Sequence, residues 1–396
     1  MAGEPIEPQR SPQAKCNRMS LQNESREHPN GQKVRYAVVG AGWISQEDFM
    51  PGVEHTGNSV MTALVTGDRT KAKELAKRYA IARLYDYDDY PKMLESGAVD
   101  AIYLAVPNSM HRDYAVAALN AGIHVLCEKP MARTEDECRE MIEAAGRTGA
   151  KLMIAYRLHF DEASIEAIET VQSGMIGDPR FFNSVFTQQL AEDNSRAKAR
   201  FWANPLPDMG PYPINAARHL FRTEPLEVFG FSARKEERRF DEIDEMFTVS
   251  MRFPDERLAT FTVSYGANPI DTYRVFGTRG DLEVNPGFGF TDPLRHRLTI
   301  GREVSEKTFA KTDQFGAETK YFSECILEDR HPEPDGEEGL ADIRVLHAIE
   351  EALETGMPKP VMLRSERPSR PCREQIIRLP AVKAKELVGA AAPGGS

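Results

Sequence analysis

A chain of 396 residues with 41% hydrophobic content is long enough to bury a full core, and its size favours two domains over one. The net charge of -11 leaves no electrostatic footprint for nucleic acid or an anionic membrane surface, and no apolar run is long enough to span a bilayer. Five scattered cysteines (Cys16, Cys127, Cys138, Cys325 and Cys372) show no metal-ligand spacing, so a reducing compartment and no metal site are expected.

Residues 1–32 are polar, hold four prolines (Pro5, Pro8, Pro12 and Pro29) and carry no sustained periodicity or export signal. They read as a flexible arm of a cytoplasmic protein. From residue 33 to 156 short apolar runs alternate with amphipathic stretches: "VRYAVV" (34–39), "VMTALV" (60–65), "DAIYLAV" (100–106), "HVLC" (124–127) and "KLMIAY" (151–156). Near-continuous apolarity marks strands covered on both faces, and helical patterns over 70–79, 109–121 and 134–148 lie between them. Repeated βα units predict an α/β fold that begins with a Rossmann doubly wound parallel sheet.

Over 157–363 the period changes to two. In "MFTVSMRF" Phe247, Val249, Met251 and Phe253 share one face and Thr248, Ser250 and Arg252 the other, the pattern of an antiparallel sheet with one side covered. Further strands are expected at 180–188, 226–233, 259–265 and 273–284, the last with a hairpin near Arg279-Gly280, and helices at 161–172, 212–221, 318–328 and 336–355. The tail over 364–396 is rich in Pro and Arg, and its closing "AAAPGGS" reads as unstructured.

Four segments fall at the carboxyl ends of the first-half strands, where open α/β sheets hold ligands. In "GAGWIS", Gly40 permits a tight turn, Gly42 lets the backbone approach a pyrophosphate, and Trp43 and Ile44 open a helix whose N-terminus suits that charge; an ordinary glycine turn is the plain alternative. In "VTGDRTK" an acid at Asp68 would suit a ribose hydroxyl, or merely cap a helix, whereas Thr66, Arg69 and Lys71, with Gly67 between them, suit a 2′-phosphate. "VPNSMH" offers Pro107, Asn108 and His111 as a wall of a nicotinamide pocket, or a helix cap and a surface histidine. In "CEKP", Lys129 becomes a cationic donor whose pKa a nicotinamide charge would lower, and Pro130 fixes the backbone, through a cis bond if need be.

Taken with "YRLHFD" and "DMGPYPINAARHLF", the motifs "GAGWIS", "PNSMH" and "CEKPMA" resemble the glucose-fructose oxidoreductase branch of the Gfo/Idh/MocA family over about residues 34 to 361. The resemblance implies a second α/β domain with a large, mostly antiparallel open-faced sheet through which subunits pack as homodimers or homotetramers. It implies that Lys129 contacts the nicotinamide and the reacting sugar oxygen, that Tyr212 is the catalytic tyrosine and Asp208 the acid beside it, and that Glu128 reaches the cofactor ribose. Arg157 and His159 would border the site. Thr66 and Lys71 would hold a 2′-phosphate, favouring NADP over NAD. The glycine-rich run expected before Asp208 is missing, and the shorter loop carries Trp202, whose ring is expected to cover the nicotinamide or a sugar face. The implied activity is an NADP-dependent oxidoreductase moving a hydride between the nicotinamide and a sugar or polyol. Alternatives are a catalytically silent dinucleotide-binding sensor or scaffold, and a lyase or hydrolase that uses transient oxidation.

Overall fold

The computed structural model describes residues 31–362 and 371–394, so the arm expected over 1–32 lies almost wholly outside the described residues. Strands β1 (Val34–Val39), β2 (Ser59–Val65), β3 (Arg83–Tyr85), β4 (Ala101–Leu104), β5 (His124–Glu128) and β6 (Leu152–Ala155) form a sheet in the order β3-β2-β1-β4-β5-β6. Every pairing in it is parallel. Val38, Leu64, Ile102, Leu126 and Ile154 are fully buried, because helices cover both faces. The Arg69–Tyr79 helix is capped by Asp68, which accepts from the Thr70 and Lys71 amides, and Glu135–Thr148 by Thr134, which accepts from the Glu137 amide. The short edge strand β3 escaped the sequence reading because Arg83 and Leu84 are exposed and leave no apolar pattern.

The second sheet holds β7 (Pro179–Gln189), β8 (Glu227–Ala233), β9 (Met246–Phe253), β10 (Arg257–Ser264), β11 (Gly266–Gly277), β12 (Gly280–Val284), β13 (Arg295–Ile300), β14 (Glu303–Thr308) and β15 (Lys359–Pro360). Its order is β14-β13-β12-β11-β7-β10-β9-β8-β15, antiparallel except where β7 meets β10. The alternation read in β9 is realised, with Phe247, Val249, Met251 and Phe253 buried and Thr248, Ser250 and Arg252 exposed. The covered face packs against the helices Glu162–Gln172, Pro211–Phe221 and Gly336–Thr355.

Two placements depart from the sequence reading. The helix expected at 318–328 begins four residues earlier, at Gln314, and packs on the first sheet: Ala317, Tyr321, Phe322 and Cys325 share a core with Val34, Tyr36, Val38, Leu64 and Leu126. The Tyr36 hydroxyl and Ser323 Oγ lie 2.8 Å apart across that contact. Residues 371–394 of the tail, read as unstructured at its end, lie along both halves instead, with Arg373 on Glu169 and Arg378 on Glu162 before the chain reaches the first half. The Asp313 amide donates to the Leu379 carbonyl (3.0 Å), Lys385 pairs with Glu54 (2.8 Å), and the Val388 amide donates to Gln46 Oε1 (2.7 Å). Composition does not reveal hydrogen bonds made with distant partners.

Candidate active site

A cleft of about 670 Å³ opens between the carboxyl edge of the first sheet and strands β7 and β11 of the second. Its floor begins at the loop after β1. Gly40 has φ +98°, and a Cβ there would stand 2.4 Å from the Ala105 carbonyl oxygen, so only glycine lets β1 and β4 end side by side. Ser45 Oγ donates to the Gly40 carbonyl (2.6 Å) and ties the turn where a third glycine is absent. Gly42 lines the cleft, and a Cβ there would meet nothing within 4 Å: the backbone is bare toward the cavity, which fits the approach of a dinucleotide pyrophosphate. Ser45–Phe49 then winds as a π-helix, continued by Met50–Val53.

The catalytic candidates meet at one point. The Lys129–Pro130 bond is cis, at the end of β5. Lys129 Nζ donates to the Asp208 main-chain carbonyl (2.7 Å) and lies 3.2 Å from its carboxylate. That ammonium sits 4.9 Å from the centre of the Tyr212 ring. Arg157 Nη2 donates to the Tyr212 hydroxyl oxygen (3.2 Å) and to the Phe288 carbonyl (2.6 Å), while Nη1 is held by Gln314. Asp208 Oδ2 also accepts from the Tyr265 hydroxyl (2.6 Å) and pairs with Arg196 (3.2 Å).

These contacts set the charges. Burial alone would raise the Asp208 carboxyl, but Lys129, Arg196 and the Tyr265 hydroxyl hold it at about 2, so it is an anion. Burial works against the Lys129 ammonium, yet Tyr212, Asp208 and Glu128 outweigh it and hold its pKa above the ordinary lysine value. The lowered pKa expected from "CEKP" is thus reversed. Of these three neighbours only Glu128 belongs to "CEKP"; Asp208 and Tyr212 reach the lysine from the second half of the chain, where the motif does not show them. Burial raises Glu128, which accepts from the Tyr103 hydroxyl (2.7 Å). His111 is clamped between two loops, with Nδ1 2.9 Å from the Pro130 carbonyl and Nε2 3.0 Å from that of Val106. Burial lowers its pKa, and a neutral ring donates to only one of the two carbonyls.

Of the residues singled out from sequence, Gly42, Trp43, Ile44, Pro107, Asn108, His111, Glu128, Lys129, Arg157, Asp208 and Tyr212 all line this cleft. Thr66, Gly67, Arg69 and Lys71 do not; the first two lie in the loop after β2 and the others in the first turn of the Arg69–Tyr79 helix, where the tail's Gly389 lies against Lys71. His159 does not line the cleft either. It lies behind Tyr212 on a cavity of about 50 Å³, with Nε2 bonded to Asn215 Oδ1 (2.8 Å), and burial first and His219 second push its pKa well down. Trp202 is a correction: its indole nitrogen donates to Glu350 (3.0 Å) and its ring packs into the core, so it covers no part of the cleft. The residue takes φ +48°, which turns the ring toward the Gly336–Thr355 helix, and its carbonyl accepts from Asn108 (3.1 Å). The tryptophan at the cleft is Trp43, with its ring centre 6.0 Å from that of Phe290.

Arg196, Tyr265 and Gln314 were missed, because each acts through a contact with a residue far away in sequence. Behind the site His159, His219 and Glu338 place ligand-type atoms within 4.8 Å of one another. Arg218 donates to Glu338 (2.7 Å) and pairs with Asp342 and Glu224, so a guanidinium already balances this acidic cluster.

Residues 34–156 match the oxidoreductase family with an NAD-binding Rossmann fold, and residues 165–283 match the GFO/IDH/MocA C-terminal domain. The chain is 33% identical over 329 residues to the D-xylose 1-dehydrogenase (NADP(+)) of Haloarcula marismortui, covering 81% of this chain and 91% of that protein. It is 29% identical over 328 residues to D-xylose 1-dehydrogenase (NADP(+)) 2 of Haloferax volcanii, covering 82% and 98%. Among solved structures, the aldose-aldose oxidoreductase of Caulobacter crescentus, complexed with glycerol, superposes with a TM-score of 0.78 at 32% identity, over 83% of this chain and all of that one. The two matched domains and these relatives, in agreement with the glycine turn and the Lys129 cluster, establish that the chain belongs to the Gfo/Idh/MocA family of oxidoreductases.

Proposed function

We propose that the cleft binds NADP and an aldose or related polyol, and that the protein moves a hydride between the nicotinamide and the carbon bearing one sugar hydroxyl. The observation that carries this reading is the convergence of Lys129, Tyr212 and Arg157 on one point of a cleft whose floor is the bare Gly42 backbone. The names of the relatives, a xylose dehydrogenase using NADP(+) and an aldose-aldose oxidoreductase, support both sugar and cofactor. Bound NADP supplies the hydride acceptor; this chain's residues manage the proton and the charge. Arg157 donates to the Tyr212 oxygen and thereby fixes the direction of the phenol's own hydrogen. In the reducing direction Tyr212 gives that hydrogen to the sugar carbonyl oxygen while the Lys129 ammonium stabilises the charge gathering there; oxidation runs the same path backwards. Asp208, held anionic by three partners, anchors Lys129 and takes no proton. A pure sensor would have no use for this paired donor and cation.

The test is turnover with NADP across a panel of aldoses and polyols, followed by nicotinamide absorbance, in the wild type and Tyr212→Phe. The phenylalanine ring still packs against Phe186 and Phe288, so binding of NADP should persist while kcat falls by about 10²-fold or more. Equal kcat in the two proteins would remove Tyr212 from the mechanism. We also infer that subunits associate through the outer face of the nine-stranded sheet, where Leu258 is 48% exposed and Phe231 70% exposed. A monomer by light scattering would contradict this.

A further inference from the structure

The tail supplies a third wall to the cleft. Gln46, buried beside the glycine turn, holds Val388 from both sides: its Nε2 donates to the Val388 carbonyl (3.0 Å) and its Oε1 accepts from the Val388 amide (2.7 Å). The same Nε2 donates to Ala41 within the turn (2.9 Å). One residue on, Gly389 lies on the loop after β2. A Cβ there would come within 3.0 Å of Lys71 Cε and 3.9 Å of Asp68 Oδ2, and its φ of +53° favours glycine, so a larger residue at 389 would strain the backbone and push the Lys71 side chain aside. Ala391 and Pro393 then line the cleft itself. Finally the Pro393 carbonyl accepts from the Ala191 amide (2.9 Å) and from Asn194 Nδ2 (3.3 Å), in the loop after β7.

Residues 388–394 therefore run from the first domain's wall, over the loop after β2, to the second domain's wall. We propose that this segment is a cofactor-binding strap, which closes the adenosine and pyrophosphate end of the NADP site in cis and keeps the dinucleotide bound from one sugar to the next. The proposal rests on the reading of the cleft as an NADP site. Two observations favour a strap over a plug. The cleft from the glycine turn to Lys129 still measures about 670 Å³ with the tail in place, within the roughly 300–1,000 Å³ usual for ligand sites, so Ala391 and Pro393 border that part without filling it. The segment Gly389-Ala-Ala-Ala-Pro-Gly394 carries no side-chain carboxylate that would imitate a phosphate.

The consequence is kinetic. A strap held at both ends must let go before NADP leaves, so it slows release more than it changes the chemistry. Three proteins test it: the full chain, a variant ending at Leu387, and the full-length Gly389→Val, in which the new side chain meets both Lys71 and an unfavourable φ. Each is loaded with NADPH, chased with excess NADP and followed by nicotinamide fluorescence, with circular dichroism to verify folding. Both variants should release NADPH about tenfold faster or more than the full chain, and should lose nucleotide on gel filtration where the full chain retains it. Equal release rates from all three, or faster NADPH entry into the variants with unchanged release, would overturn the strap, the second outcome marking the tail as a plug. If NADPH binds none of them, the reading of the cleft and the strap fall together. If it binds and leaves as expected while no sugar is turned over, the proposed activity fails and the strap stands.

Discussion

Asp208 accepts from Lys129 and Tyr265 and pairs with Arg196, and this crowding separates the roles of the residues around it. Replacing Lys129 by Ala leaves the carboxylate with two partners, so no unpaired buried charge is created and the fold should survive. Lys129→Ala is expected to lower kcat by about 10²-fold or more while NADP affinity, measured by calorimetry, stays within a few-fold of wild type. A second acid behaves in the opposite way. Asp48 stands in the π-helical segment Ser45–Phe49 that follows the glycine loop; burial pushes its carboxyl up to about 8, Arg157 opposes this, and Oδ2 has no hydrogen-bond partner among the described residues. An unfolded chain loses that proton near its ordinary value of about 4, so between about pH 4 and pH 8 the native state holds a proton that the unfolded state has released. Stability must then fall as pH rises through that window. Asp48→Asn removes the ionisation, and its gain in Tm over wild type should be larger near pH 8 than near pH 5 by scanning calorimetry; an equal gain at both would show that Asp48 ionises normally. The "CEKP" and "DMGPY" motifs made Lys129, Asp208 and Tyr212 legible in advance. Arg196, in a short turn within a run of mixed charges, carried no such mark, because its meaning lies in a contact with Asp208 rather than in its neighbours.

At the scale of elements, the turn between β1 and the first helix performs two jobs with two glycines. Gly40 lets β4 lie close, and Gly42 leaves the cleft floor bare. The substitutions should therefore separate stability from binding. Gly40→Ala forces a Cβ toward the Ala105 carbonyl at a φ of +98°, and is expected to cost about 1–3 kcal/mol or more in a denaturant titration. Gly42→Ala meets no atom within 4 Å and should leave the denaturation midpoint unchanged, yet weaken NADP by occupying the space the pyrophosphate needs. Parallel losses of both properties in both variants would contradict the division. The same turn was readable in sequence because a glycine pair follows an apolar strand, and the buried strands β1, β2, β4, β5 and β6 were readable from their apolar runs. Strands β13 and β14 were not: all six residues of Glu303–Thr308 are exposed, so no alternation marks the edge of the sheet. The final crossing of the tail was hidden for a related reason, since small residues such as Ala391 fit a linker and a cleft wall equally well.

Across the whole molecule, sequence order and spatial order part company at the Gln314–Leu327 helix. It follows the second sheet in the chain, yet Ala317, Tyr321, Phe322 and Cys325 cover one face of the first sheet, against Tyr36, Val38, Leu64 and Leu126. A boundary drawn at residue 156 from the change of hydrophobic period falls between the strands of the two sheets and leaves out this return, because periodicity reports which face of a helix is apolar and not what it packs against. The tail adds a second crossing through Val388 and Pro393. The two halves therefore cannot unfold independently: melting the second sheet's half would strip the Gln314–Leu327 helix from the first and bare a large apolar face to water. The chain carries two tryptophans, Trp43 in the first half and Trp202 in the second, which permit a direct measurement. In the single variants Trp43→Phe and Trp202→Phe the remaining indole reports one half each, and their denaturation curves should share one midpoint and one slope after correction for the stability of each variant. A fragment of residues 31–156 should accordingly bind hydrophobic dyes and lack fixed tertiary signals even though its six strands are complete, since its sheet lacks the cover that residues 314–327 provide. Two separated transitions, or a rigid fragment, would mean that the apolar face closes on itself without the returning helix.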